Sequence, residues 1–116
     1  MPHLFTRAIV RPPAATFAHG ITSAAALGAP DLTRAAEQHA AYCEALISCG
    51  LTITTLPADP AYPDSTFVED TAVLARGCAV LTRPGAASRA GEIVSMRAVL
   101  ADIFPTLHEI VAPGTV

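Results

Sequence analysis

Two helix-length periodic segments, each set between short β-rich runs and closed off by Pro or Gly, constrain this chain more than any other feature. Residues 6–11 have polar ends around the apolar Ala8-Ile9-Val10 and stop at Pro12-Pro13, which predicts a short strand entering a loop. Asp31 is a good N-cap, and Leu32, Ala36, Tyr42, Cys43, Leu46 and Ile47 recur at roughly helical spacing until Gly50 offers a C-terminal stop. Residues 51–56 mix β-branched and apolar side chains and predict a second strand. After a Pro- and Asp-rich loop, residues 67–75 predict a third, and Arg76-Gly77 turns it into a hairpin partner over 78–83. Pro84-Gly85 breaks that strand, Ser88 starts a helix that Pro105 stops after Phe104, and residues 107–111 form a last strand. The order is β-α-β followed by β-β-α-β, an α/β pattern. The second part is a ββαβ unit, and the first looks like the same unit without its opening strand. The reading is one domain over 1–116, with pattern-level modules at about 1–60 and 61–116.

Composition adds a constraint of its own. Only 15% of the 116 residues are charged and 52% are hydrophobic, whereas about a quarter of a typical globular domain is charged. A small sphere needs polar residues to cover its large relative surface. This chain is therefore expected to bury surface against another copy, another chain or a further part of the same polypeptide. Its net charge of −3, with seven arginines and no lysine, offers no basic field for nucleic acid or an anionic membrane. No secretory signal is visible at Met1-Pro2-His3-Leu4-Phe5, and the Ala-rich stretch over 13–30 is too polar to span a bilayer. The expectation is a soluble, cytoplasmic protein.

Residues 12–30 show little period, and a loop that long inside a domain is commonly a functional lid or a mobile segment. Gly20 can act as its hinge beside Ile21; a wandering, partly helical surface loop is the alternative. Cys43, Cys49 and Cys78 form no CxxC pair, so neither a disulfide framework nor a zinc site is expected. Cys43 and Cys49 lie about 240° apart around their helix. All three thiols are expected to be small buried residues. His3, His19, His39 and His108 are scattered without a partner motif and are expected to be surface or satisfied residues.

The mouth of the strand over 67–75 carries acids where burial is expected. Asp64, Glu69 and Asp70 precede the apolar Ala72-Val73-Leu74-Ala75, a run that reads as a strand covered on both faces. On a regular strand Glu69 and Asp70 point to opposite faces, so one of them can serve a given pocket. Carboxylates accept two parallel N–H bonds from a guanidinium, which makes this rim suited to a planar cation, or else simply a solvated strand end. Arg83 and Arg89 flank a Pro-Gly loop at a helix start, where they can either receive a carboxylate or remain surface charges.

These motifs together carry a resemblance. Ala8-Ile9-Val10-Arg11, Gly20-Ile21-Thr22-Ser23, Pro63-Asp64-Ser65-Thr66-Phe67-Val68-Glu69-Asp70-Thr71, Leu81-Thr82-Arg83-Pro84-Gly85-Ala86 with Ser88-Arg89, and Ala112-Pro113-Gly114-Thr115 span essentially the whole chain. It resembles the bacterial dimethylarginine dimethylaminohydrolases of the pentein, or guanidino-group-modifying, superfamily. The resemblance implies about two ββαβ modules of a five-bladed α/β propeller. It implies hydrolysis of N-methylated arginine to citrulline and an alkylamine, without metal or organic cofactor, through a Cys nucleophile and a His acid/base. It further implies that Asp70 binds the guanidinium with support from Glu69, that Asp64 meets the α-amino group and Arg89 the α-carboxylate, that Phe67 lines the channel, and that Ile21 closes over the substrate and offers its carbonyl.

Family members are more than twice this length, and their catalytic His and Cys lie beyond the part matched here. None of Cys43, Cys49, Cys78 or the four histidines aligns with a catalytic position. The 116-residue chain alone is accordingly expected to be inactive, supplying a substrate-binding rim that needs a C-terminal half or another chain to complete it. An arginine deiminase or amidinotransferase relative, and a non-catalytic half-pentein that acts as an assembly partner, are the alternatives. Continuation of the reading frame into an acidic residue and later His and Cys separates them.

Overall fold

A computed structural model describes residues 5–116; His3 lies outside them. The chain divides into two compact units, Met1–Thr66 and Phe67–Val116. In the first, β1 (Arg7–Val10) and β2 (Thr52–Thr55) pair in parallel, with Arg7 beside Thr52 and Val10 beside Thr55. Parallel strands need a crossover, and α1 (Leu32–Ser48) supplies it. The Asp31 carboxylate accepts from the Arg34 N–H at 2.9 Å and caps the helix start. At the other end Gly50 takes φ 90°, which its missing Cβ permits.

Leu32, Ala35, His39, Cys43 and Leu46 form the half-buried stripe of α1, while Ala36, Tyr42 and Ile47 lie outside it. The core of this unit is Val10, Ala14 and Leu56. Arg11 is buried beside them, and its Nη1 donates to the Pro57 carbonyl at 2.6 Å. The segment over 12–30 contains 3-10 turns at Phe17–His19 and Ala25–Leu27, and residues 21–31 are exposed.

The second unit is the ββαβ arrangement. β3 (Ala72–Ala75) and β4 (Cys78–Leu81) form the hairpin, α2 (Ile93–Ile103) follows, and β5 (Thr106–Glu109) lies parallel to β4 on the side away from β3. Gly77 at φ 79° makes the hairpin turn. Alternate residues of the central strand, Ala79 and Leu81, are buried, as are Met96 and Leu100 of α2, which packs on β4 and β5. The mixed α/β class agrees with the sequence pattern.

Several local expectations change. Residues 67–75 are not one strand: Val68–Thr71 is a 3-10 turn and only Ala72–Ala75 is extended. That strand is not covered on both faces, because it is a sheet edge with Val73 59% and Leu74 51% exposed. The helix expected from Ser88 begins as a 3-10 segment, Ala87–Glu92, before α2. The cysteines are not buried either: Cys49 is exposed at the C-cap of α1, and Cys43 and Cys78 are half-buried. No described helix is long and apolar enough to cross a membrane.

Arg97 on α2 donates to Glu109 on β5 at 2.6 Å, with both side chains well exposed. The hydrogen bond from Arg97 holds the Glu109 carboxyl below the usual carboxylate range. A depressed acid stabilises the fold above its unfolded pKa and loses that contribution as pH falls through the folded one. Arg97→Gln is expected to return the Glu109 titration, followed by NMR, to the ordinary range while leaving the melting temperature unchanged, since exposed pairs contribute little. An unmoved Glu109 titration would show that the pair is not formed in solution.

Candidate functional site

In the first unit the chemistry gathers at Asp64. Its side chain is buried at the end of a turn in which the Ser65 N–H donates to the Tyr62 carbonyl at 3.0 Å and the Ser65 hydroxyl to the Asp59 carbonyl at 3.2 Å. Pro63 favours such a turn by fixing φ. The next residue, Thr66, donates its hydroxyl to the Arg11 carbonyl at 2.8 Å, which ties the turn to the end of β1. Asp64 Oδ2 accepts from the Ile21 N–H at 3.0 Å, while the Ile21 side chain stays exposed. Ile21 and Asp64, both singled out from the sequence, are thus brought together.

Gly20 makes that approach possible, because a Cβ there would collide with Asp64 Oδ1. Its backbone, φ −66° and ψ 169°, suits any residue, so the demand is for space. Gly20→Ala is expected to push the carboxylate off the Ile21 N–H and cost about 1.5–3 kcal/mol, the range for a charged hydrogen bond. Melting temperature and limited proteolysis over residues 21–31 measure it. Parent-like values in both would remove the steric role.

In the second unit the turn at Val68–Thr71 presents Glu69 and Asp70. The Asp70 N–H donates to the Phe67 carbonyl at 3.2 Å, the Thr71 hydroxyl to the Val68 carbonyl at 2.6 Å, and the Thr82 hydroxyl to the Asp70 carbonyl at 2.6 Å. Thr71 and Thr82 are buried, so the turn is held from beneath by two hydroxyls. Glu69 and Asp70 therefore sit on a helical turn, and the strand argument that sets them on opposite faces does not apply. Glu69 is exposed on it, and Phe67 is partly exposed at its start.

Arg89 links this turn to the start of the helix. Its Nε and Nη2 donate to the two oxygens of Glu92 at 2.7 and 2.8 Å, Nη1 donates to Asp70 Oδ2 at 2.6 Å, and Nη2 also reaches the Phe67 carbonyl at 3.2 Å. The 3-10 geometry explains the fork, since side chains at i and i+3 eclipse in that helix. Hydrogen bonding to Glu92 raises the Arg89 pKa further above its already high value, against the opposing effect of burial, with Asp70 adding to it. The Asp70 side chain remains 53% exposed, whereas that of Glu92 is 3% exposed. The sequence marks Arg89 as a carboxylate receptor, but most of its five N–H groups are directed at protein oxygens here. Arg83 donates to the Gly114 carbonyl at 3.2 Å.

Glu92 and Gly20 are the residues that sequence reasoning misses. The three-residue spacing of Arg89 and Glu92 was the available signal for the first. For the second only a hinge was readable. Of the histidines, His19 and His108 are exposed and His39 Nδ1 lies 3.8 Å from Cys43 Sγ on the stripe of α1. Among the described residues no group of three or more His, Cys, Asp or Glu side chains forms a metal cage.

No family profile matches the chain. It is 45% identical over 114 residues to the N(G),N(G)-dimethylarginine dimethylaminohydrolase of Pseudomonas aeruginosa, over 97% of this chain and 44% of that protein. The enzyme of the same description from Streptomyces coelicolor is 39% identical over 94% of this chain and 42% of its own length. A solved structure of a mutant Pseudomonas aeruginosa enzyme complexed with citrulline has a TM-score of 0.94 at 44% identity, covering 98% of this chain and 45% of that one. The chain is similar to dimethylarginine dimethylaminohydrolases over nearly its whole length. It spans less than half the length of the relatives it matches. The N-terminal domain of ArgZ, a cyanobacterial arginine dihydrolase, has a TM-score of 0.83 at 18% identity, over 97% of this chain and 42% of that one. That likeness is one of fold alone.

Proposed function

We propose that this chain supplies substrate-recognition residues of an enzyme that hydrolyses the guanidinium group of N-methylated arginine to citrulline and an alkylamine. The observation that carries the reading is the Asp70 carboxylate: half-exposed, fixed on a turn held by two buried hydroxyls, and already in contact with a guanidinium. A carboxylate so held is suited to a second planar cation, which is the reacting group of a methylated arginine. Asp70 then receives the substrate guanidinium with Glu69 beside it in sequence, and Phe67 lines the approach. Asp64 takes the α-amino group, with Ile21 closing over it and offering its carbonyl. Arg89 meets the substrate α-carboxylate and is linked to this set through Asp70.

The His and Cys that carry out the chemistry are assigned to a part of the enzyme outside this chain. The exposed apolar side chains Val73, Leu74 and Val94 are surfaces that part, or another chain, would cover. Citrulline release by the intact enzyme from dimethylarginine and from arginine tests the substrate class. A higher kcat/KM for the methylated substrate is expected, and a preference for arginine would overturn the assignment.

A further inference from the structure

Arg89, Asp70 and Glu92 bring one positive charge against two negative ones into a hydrogen-bonded cluster within the second unit. A plain Arg–Asp pair is neutral, and an Asp so paired attracts a further cation weakly. Here the Arg89 fork is taken on two bonds by Glu92, whose side chain is almost wholly buried, whereas Asp70 holds Arg89 through a single oxygen and keeps half its side chain in solvent. Burying a carboxylate is costly unless it is paired. Glu92 is so paired, and its charge is committed to Arg89.

We propose that Glu92 determines charge specificity at this site: by neutralising Arg89 from the buried side, it leaves Asp70 with an uncompensated charge for an incoming guanidinium. Glu92 touches no substrate in this scheme and is a positioning residue that works through Arg89. The inference rests on the guanidinium role of Asp70 given above. It adds a reason for a buried acid three residues beyond Arg89. It also explains how one carboxylate can hold an arginine of its own protein and still favour a cationic ligand.

The test uses the intact enzyme and two ligands of nearly equal shape, cationic dimethylarginine and neutral citrulline. The KM for the first and the product-inhibition constant of the second give a cation preference as their ratio. Removing one unit charge a few ångströms away in a partly screened site is worth about tenfold or more in that preference. Glu92→Gln is accordingly expected to lower the preference by about tenfold while citrulline inhibition moves by less than about threefold. A merely structural role would weaken both ligands together. The double variant Arg89→Gln/Glu92→Gln removes the cation along with its neutraliser, and the preference is expected to return.

An unchanged preference in Glu92→Gln, with Asp70→Asn abolishing it, overturns the role of Glu92 and leaves the function standing. If Asp70→Asn also leaves the preference unchanged, the guanidinium reading itself fails, and this inference with it. Should Glu92→Gln not fold, the double variant decides: a retained cation preference supports the proposal, and a lost one overturns it.

Discussion

Asp70→Asn is expected to reduce kcat/KM for dimethylarginine by about 10^2 to 10^3, the range found when one partner of a close charge pair is removed. The substitution keeps the shape of the side chain and removes its charge, leaving Arg89 balanced by Glu92 alone. An incoming guanidinium then meets a neutral cluster. Structure should survive, because the turn is held by the Thr71 and Thr82 hydroxyls and by backbone bonds, none of which uses the Asp70 side chain. Citrulline release and a circular dichroism spectrum together make the measurement. Activity within about threefold of the parent, with the fold intact, would take Asp70 out of the guanidinium role.

Leu81→Ala has the largest expected effect on stability, about 2–5 kcal/mol, as for other large-to-small changes at closed core positions. Leu81 is 1% exposed on the central strand, and its carbonyl accepts from the Ile110 N–H at 2.9 Å. Removing its side chain opens a cavity opposite α2 that close-packed neighbours fill only in part. The same change should loosen the site, since the following residue is Thr82, whose hydroxyl holds the Asp70 carbonyl. Arg76→Ala at the exposed hairpin turn is the comparison, with an expected change within about 0.5 kcal/mol. Thermal or denaturant unfolding separates the two. Equal losses would mean that Leu81 is not the packing centre of this unit.

Much of the fold was legible because its punctuation is local. Asp31 caps a helix through a residue three positions away, and Gly50 and Gly77 take positive φ whatever the rest of the chain does. Pro105 ends α2 by the same kind of short-range rule. From sequence, the turn at Val68–Thr71 reads as strand because its apolar and β-branched residues suit an extended chain. What overrides that preference includes a hydroxyl from Thr82, eleven positions past Thr71, which no local window contains. Exposure of Val73 and Leu74 was equally hidden, since an apolar run does not say whether its strand is central or at an edge.

The sequence by itself determined the α/β order of elements, the hairpin turn, both ends of α1 and the identity of the acids Asp64, Glu69 and Asp70. Tertiary structure alone decided what those acids touch: that Asp64 holds the Ile21 N–H against Gly20, and that Asp70 shares Arg89 with a buried Glu92. The physical reason is range. Caps and turns are fixed by backbone preferences over a few residues, whereas a carboxylate's partner is fixed by which distant segment the packed core brings within about 3 Å of it.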